Sequence, residues 1–233
     1  MNVIKVFSIS QSMASIRRYS QLHLVKPESV MEHTGFVCLF TYLLSEEINS
    51  VSGEKVDIGL ALQRAVVHDI DEVVTGDIPR PTKYFSESSK NIFDEIAESG
   101  VDQIIDELDI WDLPDEAITK FRENWTEAKS GREGIVLALA DLASVVFKIW
   151  DEVILLGNKK LILQGDQVFT YLEQFIGNAM SSKELSGDQK KVIKGICDQL
   201  KEVCNEVKQM KDPMLGTLKS LTNYHLEKGS KDV

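Results

Sequence analysis

The stretch LALQRAVVHDIDEVVTGDIPRPTKY, residues 60–84, decides how this chain is read. Apolar residues at Ile58, Leu62, Ala65 and Val66 mark a helix that runs from about Asp57 to Asp69 or beyond, until Gly76, Pro79 and Pro81 break it. TGDIPRP, residues 75–81, reads as a loop. His68 and Asp69 close the apolar run, and a helix sets adjacent side chains about 100° apart, so one metal ion can touch both. A carboxylate among buried neighbours is costly unless it is paired or ligated, so Asp69 asks for a counter-charge. Taken alone, the dipeptide reads first as a chance pair with a hydrogen-bonded core histidine, and only further ligands turn it into a site.

Two further signals lie outside this stretch. Asp141 interrupts IVLALADLASVVF, residues 135–147, an otherwise continuous apolar helix in which an unpaired carboxylate is unfavourable. His33 falls on the helical face formed by Val30, Val37, Phe40, Leu44 and Ile48, in a helix expected from Glu28 to about Ile48. Together His33, His68, Asp69 and Asp141 bring two imidazoles and two carboxylates from three helices. This borderline-hard set suits Mn²⁺, Co²⁺, Fe²⁺, Ni²⁺ or Zn²⁺. Four protein ligands leave an octahedral ion open positions for water and a phosphoryl oxygen, which points to phosphoester hydrolysis by a metal-activated water. Glu72 follows Asp69 by three residues and shares its face if the helix continues; it is either the acid or base acting on that water or part of a solvated acidic turn with Asp71.

Further helices are expected at about 86–108, 114–129, 132–156, 166–180 and 188–210, with a short one after Pro213. No sustained period-two alternation marks a strand, so the expected architecture is an all-α, single-domain bundle. Hydrophobic residues at 43% and charged residues at 27% are ordinary soluble globular usage. Thirty-seven acidic against 26 basic side chains give a net charge of −11, which argues against nucleic acid as a partner while leaving a small anionic substrate open. Cys38, Cys197 and Cys204 follow no ligand spacing and read as reduced core thiols of a cytoplasmic protein. The N-terminal residues lack the order of a secretory signal, and no run has transmembrane length.

With these residues in view, the chain resembles the YfbR-like HD-domain 5′-deoxynucleotidases. Three blocks carry the likeness: ESVMEHT at 28–34, HDIDEVVTGDIPRPTKY at 68–84 and ADLASVVFKIWDE at 140–152. The middle block is the most specific, because it keeps HDxxEVxTGDxPxPxKY in one register. The resemblance implies an HD-type bundle that removes phosphate from deoxynucleoside 5′-monophosphates, with His33, His68, Asp69 and Asp141 as metal ligands and Glu72 acting on the nucleophilic water. Arg18 resembles the family's phosphate-contacting arginine, although the adjacent Arg17 leaves a one-residue slip open. Asp77 resembles the residue that faces the sugar. Tyr19 stands where the family typically has tryptophan, which predicts weaker selection for deoxyribose. Lys83 either offsets phosphate charge or lies on the surface.

The expected organisation is an HD phosphohydrolase domain over 1–182 and a helical extension over 183–233, packed on the same domain or on a second subunit. A homodimer is the family precedent. Two rival readings stay open: a deoxynucleoside triphosphate triphosphohydrolase, and a catalytically silent nucleotide-binding module.

Overall fold

The computed structural model describes residues 3–109 and 113–210. Among them the α-helices are α1 (Val3–Ser15), α2 (Val30–Val51), α3 (Ile58–Val67), α4 (Glu72–Thr75), α5 (Arg80–Lys83), α6 (Glu87–Asp109), α7 (Asp115–Thr126), α8 (Gly131–Trp150), α9 (Ile162–Ser181) and α10 (Gly187–Gln209). The described residues contain no sheet; an antiparallel bridge joins Arg17 to Ser29. The fold is an all-α, single-domain bundle.

Several helix ends differ from the sequence reading, each for a local reason. α2 begins at Val30 rather than Glu28, because Ser29 and Glu32 form a capping box that satisfies the first free amides. α3 stops at Val67: His68 is its C-cap, and the chain turns through 68–71 before α4 starts at Glu72. His68 and Asp69 therefore lie just past the helix, not within it. Only residues 76–79 of TGDIPRP are loop, since Thr75 closes α4 and α5 begins at Arg80 with proline in its first turn. α9 begins at Ile162, one turn earlier than expected, directly after a 3₁₀ turn at Lys159–Leu161. α1 has no counterpart in the sequence reading; it is anchored by Ile9 and Met13, with Ile16 just past its end, spaced four and three residues apart. The short helix expected after Pro213 lies outside the described residues.

Two apolar clusters build the interior. The larger gathers α2, α3, α8, α9 and α10 around Ile48, Ala65, Leu137, Leu139, Leu172 and Ile193. Each large aliphatic side chain fully buried there contributes roughly 1.5–3 kcal/mol. The smaller joins Met13 of α1, Val30 of α2, Val67 at the end of α3, Ile70, and Val101 and Ile104 of α6. The apolar face of α10 lies in the larger cluster through Ile193, Cys197, Leu200, Cys204 and Val207, so it covers α8 and α9 of its own chain.

α8 runs through the centre and ends in a π-helical turn, Asp151–Leu155. Glu152 in that turn is fully buried, and its carboxylate accepts from the amides of Val25 and Lys26, from Asn158 Nδ2 and from Lys148 Nζ. Burial alone pushes this carboxyl upward, but the donors outweigh it and hold it below its ordinary range. It ties the loop between α1 and α2 to the end of α8.

Glu152→Ala strands four donors and is expected to destabilise the fold by about 3–5 kcal/mol, measured by urea unfolding at neutral pH. Because the folded carboxyl is depressed, its stabilisation is present above the unfolded carboxylate pKa and is lost as pH falls through the folded value, so the gap between parent and variant should narrow in acid.

Candidate metal centre

Each residue of the site is placed by a different helix end or helix interior. His33 is in the first turns of α2, His68 and Asp69 terminate α3, and Asp141 lies midway along α8. His33 and His68 are buried at the seam between the two apolar clusters, with ring centroids 5.5 Å apart. Their orientation is set by hydrogen bonds on the far ring nitrogens. His68 Nδ1 is 2.8 Å from the carbonyl of Ala65. A carbonyl only accepts, so that nitrogen carries the proton and Nε2 keeps its lone pair. Ser144 Oγ donates to Asp141 O at 2.7 Å, which makes it the acceptor for His33 Nδ1 at 3.0 Å; His33 Nε2 is then also a lone pair.

Both lone pairs point at carboxylate oxygens. His33 Nε2 is 3.4 Å from Asp69 Oδ2 and 3.3 Å from Asp141 Oδ1, and His68 Nε2 is 3.2 Å from Asp69 Oδ2. Neither Nε2 atom has a hydrogen-bond partner among the described residues. Acceptors that face acceptors in a buried site repel unless a proton or a cation lies between them. Metal–ligand bonds of about 2.0–2.2 Å place neighbouring ligand atoms roughly 2.8–3.6 Å apart, and the observed separations fall in that interval. Ligand atoms of His33, His68 and Asp141 all lie within 4.8 Å of one another. The residues fit one divalent cation.

Charges around the cluster compensate its carboxylates. Arg18 Nη1 donates to Asp69 Oδ2 at 3.1 Å, and its Nε lies 3.5 Å from Glu28. Arg17 is exposed, so of the adjacent arginines it is Arg18 that reaches the cluster. The placement follows from the backbone: Arg18 N donates to Glu28 O and Val30 N to Ile16 O, which pins residues 16–18 against the start of α2. Burial opposes ionisation of Asp69, but His68 and His33 hold it well below the usual carboxylate range. Asp141 is likewise depressed against burial, chiefly by Lys129, whose Nζ is 2.6 Å from Asp141 Oδ2.

Glu72 sits close to Asp69, although α3 does not continue to it. Its Oε2 is buried without a partner, and burial together with the Asp69 charge pushes its carboxyl up to about 9. Its neighbour Asp71 points elsewhere and accepts from Trp125 Nε1 of α7 at 3.0 Å. Asp77 accepts the backbone N–H of Tyr19 at 2.7 Å, which holds Tyr19 at a left-handed φ of 58°. Tyr19 packs under the Arg18 guanidinium with its hydroxyl buried and unpartnered. Lys83 pairs with Asp94 on α6, 3.0 Å away. Lys129 and Ser144 are missing from the sequence reading: Lys129 stands in a polar turn outside the three blocks, and Ser144 looks like one more small residue of an apolar helix.

Paired imidazoles and carboxylates with an HD dipeptide at the end of one bundle helix define a metal-dependent phosphohydrolase of the HD superfamily. Similarity to known proteins narrows the class, because the family model described as "5′-deoxynucleotidase YfbR-like" matches residues 5–185. The chain belongs to the YfbR-like 5′-deoxynucleotidase family. It is 29% identical over 101 residues to a 5′-deoxynucleotidase of Shewanella oneidensis, a match that spans 43% of this chain and only 52% of that relative's length. To the 5′-deoxynucleotidase YfbR of Escherichia coli it is 27% identical over 159 residues, 68% of this chain and 77% of the other. Its fold is similar to a crystal structure of an HD-domain phosphohydrolase from Listeria innocua, with a TM-score of 0.67 at 21% identity, covering 91% of this chain and all of that one.

Purified protein is expected to bind one divalent ion per chain, and Asp69→Asn or His68→Ala to remove it, as read by metal analysis after dialysis. Burial and Arg18 disfavour the charged form of His33, yet Asp141 and Asp69 raise its pKa above the usual value. Protons therefore compete with the metal, and affinity measured by competition with a chelator should fall as pH is lowered through that raised value.

Proposed function

We propose that the protein hydrolyses deoxynucleoside 5′-monophosphates to deoxynucleoside and phosphate, with one divalent transition metal such as Co²⁺ or Mn²⁺ held by His33, His68, Asp69 and Asp141. The observation that carries this reading is the pair of unpartnered Nε2 lone pairs opposed to carboxylates, next to a buried arginine. The relatives named 5′-deoxynucleotidase supply the substrate class. When bound, such a cation supplies Lewis acidity: it polarises a phosphoryl oxygen and makes bound water acidic near neutral pH.

The chain's own residues do the rest. Arg18, a rigid fork with five donors, binds non-bridging phosphate oxygens and aligns the phosphorus over the cluster. Glu72 Oε2 takes or holds the proton of the attacking water; its carboxyl, raised to about 9 by burial and the Asp69 charge, holds a proton far more tightly than an ordinary carboxylate. A silent module does not require a buried, unpartnered carboxyl at this place, which favours an enzyme. Tyr19 and Asp77 bound the sugar, their positions linked by the amide–carboxylate bond between them. Lys83 and Arg64 are occupied by Asp94 and by Glu127 and Ser130, and this favours a monophosphate over a triphosphate substrate. The net charge of −11 argues against nucleic acid as substrate, and the free state of all three cysteines suits a cytoplasmic enzyme. No helix among the described residues is long and apolar enough to cross a membrane. For a homodimer, the exposed Phe36, Leu39 and Leu43 of α2 offer an apolar surface.

The test is a nucleotide panel with the metal varied and the products identified. Phosphate should be released from dAMP, dGMP, dCMP or TMP faster than from the matching ribonucleotides, and release of triphosphate from dNTPs in preference would overturn the reading. Glu72→Ala should keep its metal and lose turnover by roughly 10²-fold or more. Discrimination against a hydroxyl needs a site that clashes with it or leaves it unpaired. Tyr19→Trp should therefore sharpen the deoxyribose preference by filling the sugar pocket. Asp77→Asn, which keeps an acceptor for the Tyr19 amide, should weaken it without unfolding the loop; equal kcat/KM for dAMP and AMP in the parent sinks the sugar assignment.

A further inference from the structure

Lys129 is a cation at the centre that the three motif blocks do not contain. Its ammonium lies 2.6 Å from Asp141 Oδ2, while Asp141 Oδ1 faces His33 Nε2 at 3.3 Å, so one carboxylate bridges the imidazole cluster and the lysine. The turn between α7 and α8 is built to hold it there. Buried Arg64 of α3 donates to Ser130 O at 2.7 Å and to Glu127 Oε2 at 2.9 Å, clamping the residues on both sides of Lys129. Gly134 completes the clamp: a Cβ at that position would lie 2.2 Å from the carbonyl carbon of Lys129, so the first turn of α8 closes on the Lys129 backbone only with glycine.

An ammonium has three N–H donors, and Asp141 uses one. The Lys129 side chain is 53% exposed against 22% for Asp141, and Asp141 is its one hydrogen-bond partner among the described residues, which leaves two donors for another acceptor. Arg18 approaches the same cluster through the other carboxylate, Asp69. The two cations thus stand on different carboxylates of one site. A phosphate monoester presents three non-bridging oxygens, which a planar guanidinium fork and a separate point-charge donor can share.

We propose that Lys129 is a second phosphate-binding residue of this centre, donating to the substrate's phosphoryl oxygens from the Asp141 side while Arg18 donates from the Asp69 side. The proposal rests on the phosphohydrolase reading of the site and is independent of the sugar or the number of phosphates.

The experiment uses the full-length, metal-loaded protein, with inorganic phosphate as the probe in calorimetric titration and metal content measured on the same samples. Lys129→Met, which keeps the stem and removes the charge, should retain the metal and bind phosphate about tenfold more weakly or worse. Lys129→Arg should stay within about threefold of the parent, because it restores charge and donors. In turnover, KM should rise more than kcat falls. Phosphate affinity of Lys129→Met within about twofold of the parent at full metal occupancy overturns the proposal, as does a phosphate defect that excess metal repairs, since Lys129 would then serve Asp141 alone. Failure of the parent to bind phosphate overturns it too. If deoxynucleotides prove not to be substrates while Lys129→Met still weakens phosphate binding, the substrate reading fails and this one stands.

Discussion

The site depends on a set of acceptors that have been made to face one another. Two imidazole Nε2 lone pairs and the oxygens of Asp69 and Asp141 meet at 3.2–3.4 Å in a largely buried pocket, with no donor among the described residues to separate the nitrogens from the oxygens. Such an arrangement is unfavourable in isolation. It persists because the far side of each ring is fixed: Ala65 O and Ser144 Oγ choose the tautomer, and Arg18 and Lys129 offset the carboxylate charge from outside. Cation affinity is thus a property of the whole surround, not of four side chains alone.

The fold supplies rigidity at the same place. His33 and His68 lie where the larger apolar cluster meets the smaller one, so their backbones are held from both sides by packed aliphatic side chains. Breaking α3 at Val67 turns the HD dipeptide across the seam, and α4 then brings Glu72 back toward Asp69. The break looks like lost helix, yet Glu72 still sits close enough to Asp69 for that charge to act on it.

A second network ties the loop between α1 and α2 to the core. Glu152, at the π turn that ends α8, gathers the amides of Val25 and Lys26; elsewhere in the same loop, Arg18 is hydrogen-bonded through its backbone to Glu28. Asp77 joins the loop to the segment after α4 through the Tyr19 amide. The loop that carries Arg18 and Tyr19 is therefore held by carboxylates from two distant parts of the chain, Glu152 at Val25 and Lys26 and Asp77 at Tyr19.

The helical bundle and the cluster of His33, His68 and Asp141 were legible in the sequence because both are written locally. Apolar spacing of three and four residues exposes a helix wherever one face is buried, and a charged residue inside such a face, as at Asp69 and Asp141, signals a desolvation cost that some partner must offset. Helix ends were less legible: the capping box at Ser29 and the break at Val67 depend on one or two side-chain hydrogen bonds. α1 escaped notice because its apolar spacing is not confined to one buried face: Ile4 and Phe7 are exposed while Met13 is buried. What only the tertiary structure decided was which of two adjacent arginines faces the site, that Ser144 sets the tautomer of His33, that Asp77 holds the Tyr19 backbone, and that Lys129 reaches Asp141. Each of these is a polar contact between residues 12 or more apart in the chain, 111 for Ser144 and His33, or depends on a backbone pairing of that kind. Such contacts leave no periodic trace, because their partners are set by how helices cross and not by spacing along any one of them.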